Sequence, residues 1–394
     1  STRQHRLQLG LVLVEMALAT LLVVGAGLLG RSFARLIASD PGFEPAGVTT
    51  LAVSPAAGRY AENEGWAAYF DQLLERLRAV PGVESVGGIH LLPLTAGNWR
   101  FPYQAEDNPV PPNTAPPAAN YRVVAGDYFQ TLRIPVVEGR VFEAVDRAGA
   151  PQVVMINERM ARDLWPAESA LGKTIHLFMN KPFTVVGVVG DVHQHRLDHE
   201  SEPEMYYHLP QMQPTGRLML MVRGTLPSAG LVPSLREAVW ALDPDVPIGM
   251  VATLDEVVAQ SVARTRLVAQ LTAGFAALAL LLGAVGVYGV MSYAVSTRRR
   301  EIGVRMALGA DRRAIVGSAV GRGMAWALGG LAAGLFAAAG AGRLLEGMLF
   351  QTSARDPFVY ATVALALAAV AGVACFVPAS RASRLDPVVT LRQE

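Results

Sequence analysis

The chain has 394 residues, of which 52% are hydrophobic and only 17% are charged. A soluble domain usually carries about 25% charged residues, so the balance points to a membrane protein and away from a wholly soluble enzyme. The net charge of +1 gives no electrostatic signal for nucleic acid, and the single cysteine, Cys375, excludes an intramolecular disulfide.

The first apolar run, Leu7 to Gly30, has Arg3 and Arg6 before it and Arg31 and Arg35 after it. As a helix it would extend roughly 36 Å, enough for a bilayer core of about 30 Å. A signal peptide is the rival reading, but its apolar core is usually about 7–15 residues, and no clean small-x-small cleavage site precedes Arg31. Residues 1–31 therefore read as an uncleaved first span. Glu15 lies inside it. An intramembrane carboxylate is a functional candidate by default; the plainer reading is a hydrogen bond to a neighbouring helix or a protonated carboxyl.

Residues 32–263 read as an α+β domain that could divide into two lobes. Strands are expected at Val48–Ser54 and Val83–Ile89, flanking an amphipathic helix near Glu62–Val80 with Trp66, Phe70, Leu73, Leu74 and Leu77 on one stripe. Asn108 to Asn120 reads as a Pro- and Asn-rich loop. Strands follow at Tyr121–Ala125 and Val153–Ile156, then a helix at Asn157–Trp165 and a hairpin of Lys173–Phe178 with Phe183–Val189. A strand at Leu218–Arg223, a helix near Ser228–Leu242 and a short strand near Pro247–Val251 complete the domain. A last helix from Leu254 is expected to run on past Arg264 and Arg266 into the second apolar segment.

Residues 264–394 carry three more expected spans, at about 267–297, 314–343 and 357–380. From Leu267 to Thr297 no residue is charged. The third run is interrupted only by Arg322, near enough to its start to snorkel to headgroups. Between the second and third spans lies the basic segment 298–313, with six arginines against Glu301 and Asp311. Positive charge in short loops resists translocation, which puts this segment, the N-terminal arginines and the tail 381–394 on the cytoplasmic side. Residues 32–263 then face outward, away from the cytoplasm.

Two local patterns invite chemistry and decline it. Ala167 to Thr174 ends in Gly172-Lys173-Thr174 like a phosphate-binding loop, but Ala167 stands where the first glycine belongs, and the order is helix then strand rather than strand then helix. His193, His195, His199 and His208 lie near Asp191 and Glu200. The His-x-His spacing on a strand would put two rings on one face, as a metal site requires, yet four histidines also suit an exposed polar loop. No nucleophile–base arrangement is evident, so catalytic, cofactor and metal residues are assigned to none. Gly283, Gly286 and Gly289, and the Gly330-x-x-x-Gly334 pair, allow close helix approach, within the chain or between two copies.

Three motifs carry a family resemblance. Gly286-Val287-Tyr288-Gly289 leads into Arg300-Glu301-Ile302-Gly303-Val304-Arg305-Met306-Ala307-Leu308-Gly309-Ala310; Asp356-Pro357 precedes the last span; and the tail reads Pro378-Ala379-Ser380-Arg381-Ala382-Ser383-Arg384-Leu385-Asp386-Pro387. Together they resemble the permeases of macrolide-exporter (MacB) and FtsX type ABC transporters. In the outer domain, Tyr128-Phe129, Gly139-Arg140-Val141-Phe142 and the Leu171-Gly172-Lys173 turn resemble the same family's periplasmic core domain. The chain looks most similar to acidobacterial duplicated permeases, of which it would be one four-span unit; that would account for a first residue that is Ser rather than Met.

The resemblance implies four transmembrane helices with the MacB-like domain inserted between the first and second, and no ATPase within the chain. It implies three partners: a separate cytoplasmic ABC ATPase, the lipid bilayer, and a second permease unit as a homodimer or fused duplicate. ATP-driven motion would pass to the periplasmic domain for efflux of a small molecule or peptide. The coupling residues would be Arg300, Glu301, Ile302, Gly303, Arg305, Met306, Ala307, Leu308 and Gly309. The alternatives are a lipoprotein-release permease and, from another class, a membrane-anchored sensor or scaffold without transport.

Overall fold

The computed structural model describes residues 2–382 apart from 57–59, 61–62, 96, 110, 112, 178–180, 213–214 and 298–310. Two compact units divide the chain: residues 1–38 with 264–394, and residues 39–263.

In the second unit, β1 (Val48–Val53), β2 (Val83–Ile89), β10 (Leu218–Gly224) and β11 (Ile248–Thr253) form an antiparallel run in the order β11-β1-β10-β2. It continues into β4 (Ala118–Gly126), then β3 (Arg100–Ala105), β7 (Thr174–Leu177), β8 (Lys181–Val189), β6 (Val153–Asn157) and β9 (Glu204–His208). The last of these returns to pair in parallel with β4. Six strands thus close into a circuit, and the four-strand run extends from it as an open wing. β5 (Val136–Gly139) adds to β8. The division into lobes is therefore one of a continuous sheet.

On the wing, α2 (Asn63–Arg78) buries Trp66, Phe70, Leu73, Leu74 and Leu77, the stripe that the helical period selects. α5 (Ser228–Trp240) packs Leu231, Leu235 and Val239 into the same core. Two short helices, α3 (Tyr128–Leu132) and α4 (Glu158–Leu164), lie between the strands in sequence; Asn157 caps α4 by accepting a hydrogen bond from the Met160 amide.

The helix α6 (Leu254–Ser261) starts at a capping box, Thr253 with Glu256, but does not run on as expected. It ends at Val262 (φ −101°, ψ 1°), and a separate helix, α7 (Ala263–Thr297), begins. The Ser261 hydroxyl donates back to the Val258 carbonyl at 2.7 Å, satisfying one of the acceptors that a helix end leaves free.

The first unit holds four helices long and apolar enough to cross a membrane, with spans at Gly10–Ile37, Ala263–Thr297, Val316–Leu344 and Pro357–Arg381. The first helix, α1 (Thr2–Ile37), continues past the Arg31 boundary expected from sequence. α8 (Arg312–Leu345) and α9 (Pro357–Ala382) supply the last two spans. Helix α9 begins as Asp356-Pro357 suggests: the carboxylate caps the Phe358 amide at 3.0 Å, and proline occupies the first turn, where no N–H is missed. Asp356 also pairs with Arg31 of α1 at 3.2 Å, and the Arg31 guanidinium lies 4.8 Å from the Phe358 ring centroid. Arg35 donates to the Gln351 carbonyl, and Ser32 Oγ accepts from the Phe350 amide at 2.8 Å. These contacts bind the end of α1 to the 346–356 connection.

Glycines set the helix spacing in the bundle. A Cβ on Gly330 of α8 would lie 2.7 Å from the Leu13 carbonyl of α1, and one on Gly334 would lie 2.6 Å from the Ala17 carbonyl. Gly27 of α1 would meet Val359 of α9 at 2.8 Å. The Gly-x-x-x-Gly pair thus serves contact within the chain, the first of the two uses left open by sequence.

Candidate functional site

The nine residues expected to couple to an ATPase, Arg300, Glu301, Ile302, Gly303, Arg305, Met306, Ala307, Leu308 and Gly309, lie outside the described residues. Their mounting is described. α7 delivers the segment at Thr297, whose hydroxyl donates to the Tyr293 carbonyl at 3.0 Å. Asp311 receives it, capping α8 by accepting from the Arg313 amide at 3.1 Å. An Asp cap fixes the register at which the third span restarts. Arg322 donates from Nε to the Ser318 carbonyl at 3.3 Å, reaching back toward the start of α8. At the same end Arg381 of α9 donates to the Tyr288 hydroxyl of α7 at 3.2 Å, tying the last span to the helix that feeds the segment.

Inside the bundle α7 buries one narrow stripe, Ala276, Gly283, Val287, Met291 and Val295, and leaves its other residues partly or fully exposed. Gly283 faces Met16 and Ala19 of α1, and Gly286 faces Glu15. The intramembrane carboxylate therefore points at a residue without a side chain, which leaves it the space it occupies. Met291 of α7 and Cys375 of α9 converge on Gly323 of α8, where a Cβ would lie 2.5 Å from Met291 Sδ and 2.8 Å from Cys375 Sγ. Among the described residues the apolar core of the bundle is built from all four helices.

In the outer unit a buried polar knot sits between β4 and β9, and sequence reading missed it. Arg122 donates from Nε to Glu204 Oε1 at 3.0 Å, with both side chains 1% exposed. Glu204 Oε2 accepts from Gln194 Nε2 at 3.0 Å and from the Tyr206 hydroxyl at 2.6 Å. Burial pushes the Glu204 carboxyl up, against the pull of Arg122 and the two neutral donors. The neighbouring His90 accepts from the Val123 amide at 3.0 Å through Nδ1. Burial, with the Arg122 charge adding to it, drives this imidazole down to about 3, so it is neutral at physiological pH. The one available signal was Arg122 itself, a charge inside an otherwise apolar strand that needs a partner when both faces are covered.

The Gly-Lys-Thr turn and the histidines also lie in the outer unit. Lys173 of the Gly-Lys-Thr turn pairs with Asp107 at 2.6 Å and with Glu168 at 2.9 Å, and the turn joins α4 to β7. His193 to His199 lie in a loop rather than on a strand. His195 approaches Asn120 at 3.4 Å, His199 approaches Asp198 at 3.9 Å, and His208 lies 2.8 Å from the Asp146 carbonyl with its ring stacked on Phe142. Among the described residues no three His, Cys, Asp or Glu side chains are grouped to hold a metal ion.

Two family models match the chain: the MacB-like periplasmic core domain over residues 9–242 and the FtsX-like permease C-terminal domain over residues 273–387. The chain is 29% identical to the "Uncharacterized ABC transporter permease YvrN" of Bacillus subtilis (strain 168) over 69% of each chain. It is 28% identical to the "Probable export ATP-binding/permease protein MacB" of Pseudomonas entomophila (strain L48), over 69% of this chain and 42% of that one. With the "Macrolide export ATP-binding/permease protein MacB" of Hahella chejuensis (strain KCTC 2396) it shares 27% identity over 99% of this chain, spanning 58% of that relative's length. Among solved structures, the periplasmic region of MacB from Actinobacillus actinomycetemcomitans aligns with 57% of this chain and 95% of that one, at 16% identity and a TM-score of 0.38. Four apolar helices, an α+β domain inserted after the first of them, and the two family matches lead to one conclusion: the chain belongs to the MacB-like periplasmic core domain family and carries an FtsX-like permease domain.

Proposed function

We propose that this chain is the permease part of an ABC exporter in a bacterial inner membrane, carrying ATP-driven motion from the cytoplasmic side to the domain on the periplasmic side. The observation that carries the proposal is the placement of the basic segment 298–313: it joins the one end of α7 that lies opposite the end leading to the outer domain. A helix running from the outer domain to a partner-binding segment can transmit motion along its length. It packs through one narrow stripe, with Gly286 against Glu15 and Met291 against Gly323, and most of its remaining surface is not buried.

The ATP-hydrolysing partner is a cytoplasmic ABC ATPase, as the ATP-binding/permease names of the relatives support. A second permease unit and the surrounding lipid complete the assembly, with both termini cytoplasmic. Within the segment, Ile302, Met306, Ala307 and Leu308 would offer the partner an apolar face, Arg300, Glu301 and Arg305 charged contacts, and Gly303 and Gly309 close approach and an end to the helix. Efflux, rather than lipoprotein release, follows the export names of the relatives.

The test replaces Glu301→Ala and Arg305→Ala together. The ATP-hydrolysing subunit that copurifies with the wild-type chain should be lost from the variant, and permease-stimulated ATP turnover should fall by about tenfold or more. Retained association and unchanged coupled turnover would defeat the assignment of the segment.

A further inference from the structure

Two arginines that form no ion pair among the described residues share a cavity at the end of the bundle where charge bias disfavours arginine. The cavity has a volume of about 230 Å³ and is lined by Ala339, Arg343 and Glu346 of the α8 end and by Ser353, Ala354 and Arg355 of the connection to α9. It lies at the end that receives the close of α1, through Arg31 to Asp356 and Ser32 to Phe350. The positive-inside bias empties such short outward connections of arginine. Arg31 and Arg35 at this end are engaged, one by Asp356 and Phe358 and the other by Gln351 and Thr352. Arg343, Glu346 and Arg355 form no ion pair among the described residues.

The cavity is built into the bundle. A Cβ on Gly342 would lie 3.0 Å from Ala354 Cβ and 3.3 Å from the Ala354 carbonyl, so the connection lies directly on α8 and brings Arg355 beside Arg343. Ser353 Oγ accepts from the Arg355 amide at 3.2 Å, which holds the turn. Below the charges, Phe336, Ala339, Arg343 and Glu346 follow at helical spacings of three, four and three on one face of α8. Phe336 is 81% exposed, and Leu344, Met348 and Phe358, close in sequence to the lining residues, are exposed as well. A charged cavity above an apolar stripe at the end of a span matches a lipid in both its parts, the headgroup above and an acyl chain below. At about 230 Å³ the space falls short of the 300–1,000 Å³ of small-molecule sites, which suits a headgroup rather than a whole drug-sized ligand.

We propose that this cavity binds the headgroup of an amine-bearing phospholipid, with Arg343 and Arg355 holding the phosphodiester and Glu346 accepting from the ammonium. Two guanidiniums supply the donors that phosphate recognition uses, and a lone carboxylate beside them favours a primary amine over a quaternary one, which has no N–H to donate. The occupant is phosphatidylethanolamine. The inference needs the four helices to span a bilayer and is independent of transport and of the ATPase.

The experiment titrates the full chain in detergent with phosphatidylethanolamine, phosphatidylglycerol and phosphatidylcholine and reads retained lipid by native mass spectrometry. Sodium phosphate at millimolar concentration serves as competitor. Wild type should retain phosphatidylethanolamine about tenfold better than phosphatidylcholine, and Arg343→Gln with Arg355→Gln should lower that retention by about tenfold. Glu346→Gln should abolish the preference for phosphatidylethanolamine over phosphatidylglycerol. Unchanged retention in the arginine variant, an unchanged preference in Glu346→Gln, or displacement of the lipid by free phosphate would each overturn the proposal. Should the arginine variant fail to fold, Ala339→Leu fills the cavity without touching a charge, and undiminished lipid retention there overturns the proposal equally.

Discussion

Arg122 and Glu204 show what a buried charge demands of its surroundings. Each is sealed from solvent, and the carboxylate is satisfied by Arg122, Gln194 and Tyr206 together. Removing one partner leaves the other charge buried and uncompensated, which costs about 3–5 kcal/mol, whereas replacing both with apolar side chains of similar volume is often close to neutral. Arg122→Met should therefore lower the unfolding free energy of the outer domain by about 3–5 kcal/mol, and Arg122→Met with Glu204→Met should recover most of that loss. Denaturant melts of the two variants decide it: equal destabilisation in both would show that the pair contributes more than mutual compensation. The pair was hard to foresee because its halves lie in strands of different legibility. Tyr121–Ala125 stands out as a strand; Glu204–His208, with an acid at one end and a histidine at the other, does not.

Secondary structure was legible where one face alone is buried. The α2 stripe matches its expected position because helix periodicity separates core from solvent there, whereas β2 matches its expected bounds although Ser85 to Ile89 are all buried and no alternation marks them. β9 is covered on both faces, with Glu204 to Tyr207 all buried, so no alternation marks it. β3 was hidden by Pro102, and the pairing explains how the strand tolerates it. Residues 100–102 pair with β4 and residues 103–105 with β7, so proline falls where one partner hands over to the next. Glycine spacing in the membrane was legible as close packing, but its partner was not. Since Gly330 and Gly334 abut α1, Gly330→Leu with Gly334→Leu should force α1 and α8 apart and destabilise the bundle by about 1–3 kcal/mol or more. Gly289→Leu, where nothing lies within 4 Å, should leave it unchanged. Thermal unfolding in detergent compares them, and equal midpoints would count against the packing role.

For the whole molecule, charge distribution forecasts which end of the bundle meets which compartment. The fold of the outer domain bears on this not at all, since long segments translocate regardless of charge. In a Cys375→Ala background, a cysteine at Ser353 should react with a membrane-impermeant maleimide added to intact spheroplasts, and one at Ser296 should react only after lysis. The reverse pattern would invert the topology and remove the basic segment from the reach of any cytoplasmic ATPase. The basic segment 298–313, for which coupling is proposed, was the most legible motif, because its arginines and its Glu-Ile-Gly core depend on sequence alone. Its partner-facing surface depends on a protein outside this chain.

The closed six-strand circuit has a consequence for the order in which the outer domain is made. Its seam is the parallel pairing of β4 with β9, whose charged partners Arg122 and Glu204 stand 82 residues apart. β9 is the last of the six circuit strands in chain order, so within the circuit its pairings with β4 and β6 are the last available to a chain emerging from its N-terminus, followed only by those of the wing strands β10 and β11. Until then Arg122 and Glu204 remain hydrated, and a slip of one residue at closure would turn Glu204 to the opposite face, away from Arg122. The buried pair is thus a proofreading mark for strand register: it rewards only the closure in which the two charges meet.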